Sequence, residues 1–469
     1  MKSLLSRNWF RRLCQSLLGL VSLIALLYAA ANWHGAGMRR DAVRKMKAED
    51  QPTRLSDMVR ALPPEDENFA MIPLLAEARS ESFDPGKQDA NYAPGSARAR
   101  LNDAQLRRGG SKNRFFRHDD GSLNDLKKSL KLTGDAATNL ATFEKTLAGV
   151  LPDLRAGLDR PQTASPTLAM LCELDDSNVS YGLSFQLVDV VGSLTLRAEL
   201  ALEAGRSDIA HESMMICLRL METMASDQLM TSLILRGAAF SRTQPTLAKC
   251  LERCGWSDTQ LNAIRSRLAR WNPTAEFLRA LELEITASFP MFDSYKEGQP
   301  SGYISSPGSW NAFSIFPRVV PGGLWDRSAA MVVSRELDLR KELAKTENLK
   351  GWLDVCNRYA ATSPKPEFFN HTAVEWDFAR QCRMAVDLTI QIHQAVLACD
   401  LELHRLEHGS YPSSLAALPG TSKIDPLTGE PFRHRMEGSR LAIHSVGTDL
   451  KDDGGQPWRK GKPPTDVVW

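Results

Sequence analysis

The chain has 469 residues, 43% of them hydrophobic and 24% charged, and 58 Lys and Arg against 56 Asp and Glu leave a net charge of +2. This composition excludes a collagen-like, low-complexity or disulfide-dense chain and a polytopic membrane protein, and it gives no global attraction to nucleic acid. The length predicts about three folding units.

The first informative element is Leu13 to Ala31, LCQSLLGLVSLIALLYAAA, which carries no charge and is long enough to cross a bilayer as a helix. Lys2, Arg7, Arg11 and Arg12 precede it; Arg39, Arg40, Arg44, Lys45 and Lys47 follow it. A retained single-pass anchor is expected, with the lipid bilayer as its partner. The alternative is a signal peptide cut after Ala29-Ala30-Ala31. An N-terminal anchor behind a short basic segment places the body outside the cytoplasm, so the expected location is the inner membrane with an ectodomain in the periplasm or at the cell exterior. Cys14 precedes the apolar core instead of following it, which excludes a lipoprotein.

Seven cysteines follow the anchor: Cys172, Cys217, Cys250, Cys254, Cys356, Cys382 and Cys399. An odd number cannot all pair within one chain. Cys250 and Cys254 lie one helical turn apart, and no CxxC pair suggests a zinc ribbon or redox site. Buried thiols are the expectation.

The fold class expected is mainly α: a transmembrane helix, a helical-hairpin ectodomain and a small C-terminal α+β module. Five segments follow. Residues 1–38 hold the anchor. Residues 39–122 hold a helix to 62 stopped by Pro63-Pro64, a short helix from Glu67 to Ser80, and a loop made basic by Arg107, Arg108, Lys112, Arg114 and Arg117. Residues 123–296 form a helical domain. Within it, Leu183–Ala204 ends at Gly205, Ser207 caps the next helix, and Ala210, Met214, Cys217 and Met221 face inward. Ser257-Asp258 caps a further helix. Residues 297–373 contain a Gly/Pro-rich stretch with Trp310, Phe313, Phe316 and Trp325, expected to lie across the helical body, and one more helical segment. Residues 374–469 form the C-terminal module.

His404, Glu407 and His408 spell H-x-x-E-H, a zinc-peptidase spacing. Gly409-Ser410-Tyr411-Pro412 ends the helix at once, and only 61 residues follow His408. A helix end with two histidines favoured by the helix dipole accounts for the same letters.

The C-terminal module begins with a helix from Val374 to about Glu407. Its apolar stripe is Phe378, Cys382, Val386, Leu388, Ile392, Val396, Cys399, Leu403 and Leu406. A G-x-Y-P turn follows at Gly409, Tyr411 and Pro412, then Leu415 and Leu418, then D-P-x-x-G-x-P-F through Asp425, Pro426, Gly429, Pro431 and Phe432. Residues 432–435 and 440–444 alternate as a β-hairpin across Glu437-Gly438-Ser439. An S-x-G-x-D segment ends the series at Ser445, Gly447 and Asp449, followed by Asp452 and Asp453. In this order the motifs resemble the C-terminal region of the major, G-type pseudopilins of type II secretion. The N-terminal segment lacks that family's G-F-T-x-x-E start, and more than three hundred residues separate it from the module. The resemblance implies an envelope setting, and it implies a calcium ion held by Asp449, Asp452 and Asp453.

The function expected from these readings is that of a membrane-anchored envelope protein, non-enzymatic, acting through protein partners near a secretion or pilus-like apparatus. The alternatives are an extracytoplasmic hydrolase at His404, Glu407 and His408, or a polysaccharide-binding or other ligand-binding envelope protein using the aromatic stretch.

Overall fold

The computed structural model describes residues 2–81, 92–105, 130, 132–174, 178–297, 320–362, 378–420, 423–437, 440–455 and 466–469. The fold is mainly helical with one small antiparallel sheet. Packing divides the chain into two units. Met1–Asp57, Glu284–Asp338 and Pro364–Trp376 form the first; Met58–Leu283, Leu339–Ser363 and Asp377–Trp469 form the second.

In the first unit, α1 (Lys2–Ala48) is one unbroken helix of 47 residues. Its uncharged run from Leu13 to Ala31 is largely bare: Leu17, Leu18, Leu26 and Leu27 are 61–68% exposed. This helix is long and apolar enough to cross a membrane. Its second half packs. Gly35 meets Gly323 so closely that a Cβ there would lie 1.8 Å from the Gly323 carbonyl oxygen, the kind of backbone approach that only glycine permits. Asn32 Oδ1 accepts from Gly323 N at 2.8 Å. Arg39 Nη1 donates to Asp293 at 2.5 Å and Asp326 at 2.8 Å, with its guanidinium 4.8 Å over the Phe289 ring. These partners stand on α11 (Pro273–Lys296) and α12 (Gly322–Ala344).

The helix expected to run to residue 62 stops at Ala48. Asp50 takes a left-handed φ of 51°, Gln51 N bonds back to Met46 O at 2.9 Å, and Pro52 disfavours helix at the residue before it. Of the aromatic stretch, Trp310, Phe313 and Phe316 lie outside the described residues, as does the basic loop from Arg107 to Arg117. Trp325 is buried within α12.

The second unit is built on α7 (Asn178–Glu203), α8 (Ser207–Ser226) and α9 (Met230–Arg253). Gly205, at φ 68°, turns the chain between α7 and α8. Val190, Val191, Leu194 and Ala198 of α7 are fully buried, as are Ala210, Met214, Cys217 and Met221 of α8. Each large apolar side chain so buried contributes roughly 1.5–3 kcal/mol. Ser207 is the first helical residue and not the cap; Arg206 stands at the cap position, and its side chain caps no backbone N–H. Ser257 does cap α10 (Asp258–Leu268), in a reciprocal capping box with Gln260.

Five arginines lie inside this helical body, Arg79 at 2% exposed among them. Arg98, Arg197 and Arg236 are 0% exposed and Arg219 is 1% exposed. Arg197 is matched by Glu144 and Glu212, both at 2.7 Å, and by Ser213 at 2.9 Å. Asp227 is 5% exposed and accepts from Thr167, Ser184 and Ser232 at 2.8, 3.0 and 3.2 Å.

The last long helix, α14 (Phe378–His408), packs against α9, α10 and α13 (Leu349–Ala361) and reaches the sheet. Most of the expected stripe is buried, but Leu406 is 38% exposed, on the solvated last turn. Buried thiols are the rule only in part. Cys217, Cys250 and Cys399 are buried and free, whereas Cys356 and Cys382 form a disulfide between α13 and α14. The two positions are 26 residues apart in sequence and lie on adjacent helices, a relation that one-dimensional spacing does not reveal. Closing such a loop restricts the unfolded chain. Cys356→Ser is expected to lower stability by about 3 kcal/mol, read as an earlier urea midpoint under non-reducing conditions. Equal midpoints would show that the bond constrains nothing.

The sheet has the order β1-β2-β3, with β1 (Arg433–Glu437), β2 (Arg440–Ser445) and β3 (Val467–Val468), all antiparallel. The register pairs Arg433 with His444, and His444 with Val468. The two expected strands are present; Gly438 and Ser439 of their connection lie outside the described residues. The third strand, from the C-terminus, was not expected. It puts His444 in the middle strand.

Candidate metal centre

The motif residues of the module serve one another. Asp425 is 1% exposed; its carboxylate accepts from Leu427 N at 2.9 Å and from the Ser445 hydroxyl at 2.7 Å. Gly429, at φ 76°, returns its N–H to Asp425 O at 2.8 Å. The D-P-x-x-G turn is thereby pinned to the end of β2, which fixes where the acidic loop leaves the sheet. At the other end of the module, Tyr411 OH donates to Glu402 Oε1, whose second oxygen meets Arg405 Nε at 2.7 Å. Burial and that carboxylate push the Tyr411 phenol up.

The acidic loop folds back toward β2. Asp452 Oδ1 accepts from Gly454 N at 2.9 Å and Oδ2 faces Arg433 Nε at 2.7 Å. The Gly454 N–H first, then Arg433 and His444, hold the Asp452 carboxyl below its ordinary range. Asp466, beside β3, is 4% exposed and takes Asp453 N at 3.2 Å and Gly455 N at 2.5 Å. Glycine is required at 455: φ is 72°, and a Cβ would meet His444 Nδ1 at 3.0 Å.

The result is a cluster of His444, Asp452 and Asp466, whose ligand atoms all lie within 4.8 Å of one another. His444 is 6% exposed, and neither ring nitrogen has a hydrogen-bond partner among the described residues. Its Nε2 lies 3.5 Å from Asp452 Oδ1. Of the three carboxylates expected to share an ion, only Asp452 belongs to this cluster. Asp449 Oδ1 accepts from Lys451 N at 3.1 Å within its own turn, and Asp453 contributes its backbone N–H to Asp466. His444 and Asp466 were not among the expected ligands. The signal for them was weak: one histidine in an alternating strand, and one aspartate 13 residues after Asp453. One imidazole nitrogen with two carboxylates suits a borderline divalent ion such as zinc better than calcium, which prefers six to eight oxygens.

The other histidine pair is arranged differently. His404 and His408 stack with ring centroids 4.1 Å apart at the exposed end of α14. Their Nδ1 atoms lie 3.1 Å from Ser410 O and His404 O, respectively. Glu407 is 78% exposed at its side chain. The chain matches no protein-family model, no curated protein and no solved structure.

Proposed function

We propose that this protein is a single-pass membrane protein of the cell envelope whose helical body and C-terminal module stand outside the cytoplasm and act by binding, not by catalysis. The observation that carries this reading is the continuity of α1. A bare, uncharged stretch runs without a break into residues that pack through Asn32, Gly35 and Arg39. Cleavage after Ala31 would cut a continuous helix where it touches the Gly323 backbone. The Cys356–Cys382 bond supports the sidedness, because such bonds persist in oxidising compartments. The long helix, the turn and the small sheet, in that order, support the likeness to the pseudopilin C-terminal region and a place beside secretion or pilus-like machinery, with envelope proteins as partners. Carbonate extraction tests the anchor. The full-length protein is expected in the membrane pellet; a carbonate-soluble chain beginning at Asn32 would replace the anchor by a cleaved signal.

The buried His444 ring, with no hydrogen-bond partner among the described residues, favours a second element of the reading, a zinc-class ion on His444, Asp452 and Asp466. An ion that binds only the folded chain stabilises it by RT ln(1 + [L]/Kd), about 2.7 kcal/mol at a hundredfold excess over Kd. Zinc is expected to raise the Tm of the detergent-solubilised protein, and His444→Ala to remove that rise. A calcium response that survives His444→Ala and vanishes in Asp449→Ala would instead return the ion to the acidic loop alone.

A further inference from the structure

A cavity with an arginine-rich lining lies in the helical body, and no sheet residue lines it. It measures about 390 Å³ and opens between the start of this unit near Val59 and the helices α8, α9 and α11. Five arginines and two glutamates line it. Both glutamates are already claimed: Glu222 by Arg219 at 2.8 Å and Arg267 at 3.1 Å, and Glu276 by Arg236. Arg60, Arg270 and Arg279 stand exposed around the mouth, and none has an ion-pair partner among the described residues. The cavity thus carries an excess of positive charge that its own acids do not neutralise.

The floor carries the sharper signal. Arg236 Nε and Nη2, Arg219 Nε and Trp271 Nε1 are all buried, and none has an acceptor among the described residues. Unpaired buried donors are uncommon in folded proteins, and these four belong to three residues that line the cavity. The guanidiniums are held in place. Arg236 lies 3.9 Å over the Trp271 ring, and Arg219 lies 4.7 Å over the Phe69 ring. Arg219 Nη2 also donates to the carbonyls of Arg160 and Gln162, at 2.6 and 2.8 Å. Planar donor groups fixed by stacking are prepared for the two oxygens of a carboxylate or phosphate. At the lip, Gln228 holds a left-handed φ of 60°, and the exposed side chains of Val59 and Leu62 add an apolar edge.

We infer that this cavity binds the carboxylate or phosphate group of a small, soluble organic anion, with Arg236, Arg219 and Trp271 as the floor donors and Arg60, Arg270 and Arg279 as the rim. The volume suits a small molecule. The rim steers the anion in; the floor gives it hydrogen bonds that chloride, a single-centre ion, cannot satisfy together.

The test uses full-length protein in a neutral detergent at fixed ionic strength, titrated calorimetrically with inorganic phosphate, with a tricarboxylate (citrate) and with chloride. Phosphate or the tricarboxylate is expected to bind while chloride does not. The Arg270→Ala/Arg279→Ala variant, altered only at exposed positions, is expected to weaken binding about tenfold or more with an unchanged Tm. Arg236→Lys keeps the charge and loses the fork, and is expected to weaken it as well. Absence of binding by both anions at millimolar concentration would overturn the inference, as would equal affinity in the rim variant. Vesicles of phosphatidylglycerol, compared with phosphatidylcholine, separate the sources. Binding to the anionic vesicles without binding to either soluble anion would overturn the assignment to a soluble ligand.

Discussion

Replacing Asp227 with alanine is expected to lower stability by about 3–5 kcal/mol, the range for removing one partner of a buried charged network. Three hydroxyls converge on this carboxylate, from Thr167 of α6 (Thr167–Leu174), Ser184 of α7 and Ser232 of α9. The charge of Asp227 also acts on Arg79, which is 2% exposed and held below its ordinary range chiefly by burial. Deleting the carboxylate takes a shared acceptor from three hydroxyls and a neighbouring negative charge from a buried cation. Asp227→Asn keeps one acceptor oxygen and loses the charge, so its cost falls between those of alanine and wild type. Urea unfolding followed by far-UV circular dichroism measures both. A loss below about 1 kcal/mol for the alanine variant, the scale of one ordinary hydrogen bond, would mean that the network is not a keystone of this unit.

Glu284→Gln is expected to do the opposite and stabilise the protein near neutral pH. Glu284 and Glu336 are 7% and 5% exposed in the first unit, and each has a carboxylate oxygen with no partner among the described residues. Burial pushes the Glu284 carboxyl up to about 8; burial, then the charge of Glu284, pushes Glu336 well above its ordinary 4.5. The folded chain therefore holds protons that the unfolded chain releases. The stability these groups contribute is fully present below 4.5 and is lost as pH rises through about 8. At pH 7 the cost of keeping Glu284 protonated is about 3 kcal/mol, from 1.36 kcal/mol for each pKa unit. Glutamine mimics the protonated acid without that cost. The wild-type midpoint should fall between pH 4.5 and 8, and Glu284→Gln should flatten the fall. A wild-type midpoint that rises over this window would reverse the sign and remove the account of the pair.

Much of the scaffold was legible because local chemistry determines it. The uncharged run to Ala31, the glycine at 205, the Ser257 box and the stripe of α14 each act over one or two helical turns. The boundary at Ala48 was not, because Asp50 adopts a left-handed conformation that no glycine announced. Of the C-terminal motif residues, Ser445 and Asp425 explain each other once they are in contact. Of the cluster of His444, Asp452 and Asp466, one residue was legible. Asp452 sits in a visible acidic run, but His444 and Asp466 join it through a strand pairing that has no local signature. The arginine cavity was not legible at all. Arg219 and Arg236 lie on helices where arginine ordinarily marks a solvated face, and only tertiary packing buries them.

Sidedness and anchoring stand or fall together in protease treatment of right-side-out membrane vesicles carrying full-length protein tagged at its N-terminus. The account predicts that added protease removes the body, leaving a short tagged fragment in the membrane that includes Leu13 to Ala31. A full-length, protected chain that is digested only in inverted vesicles would place the body in the cytoplasm and contradict it.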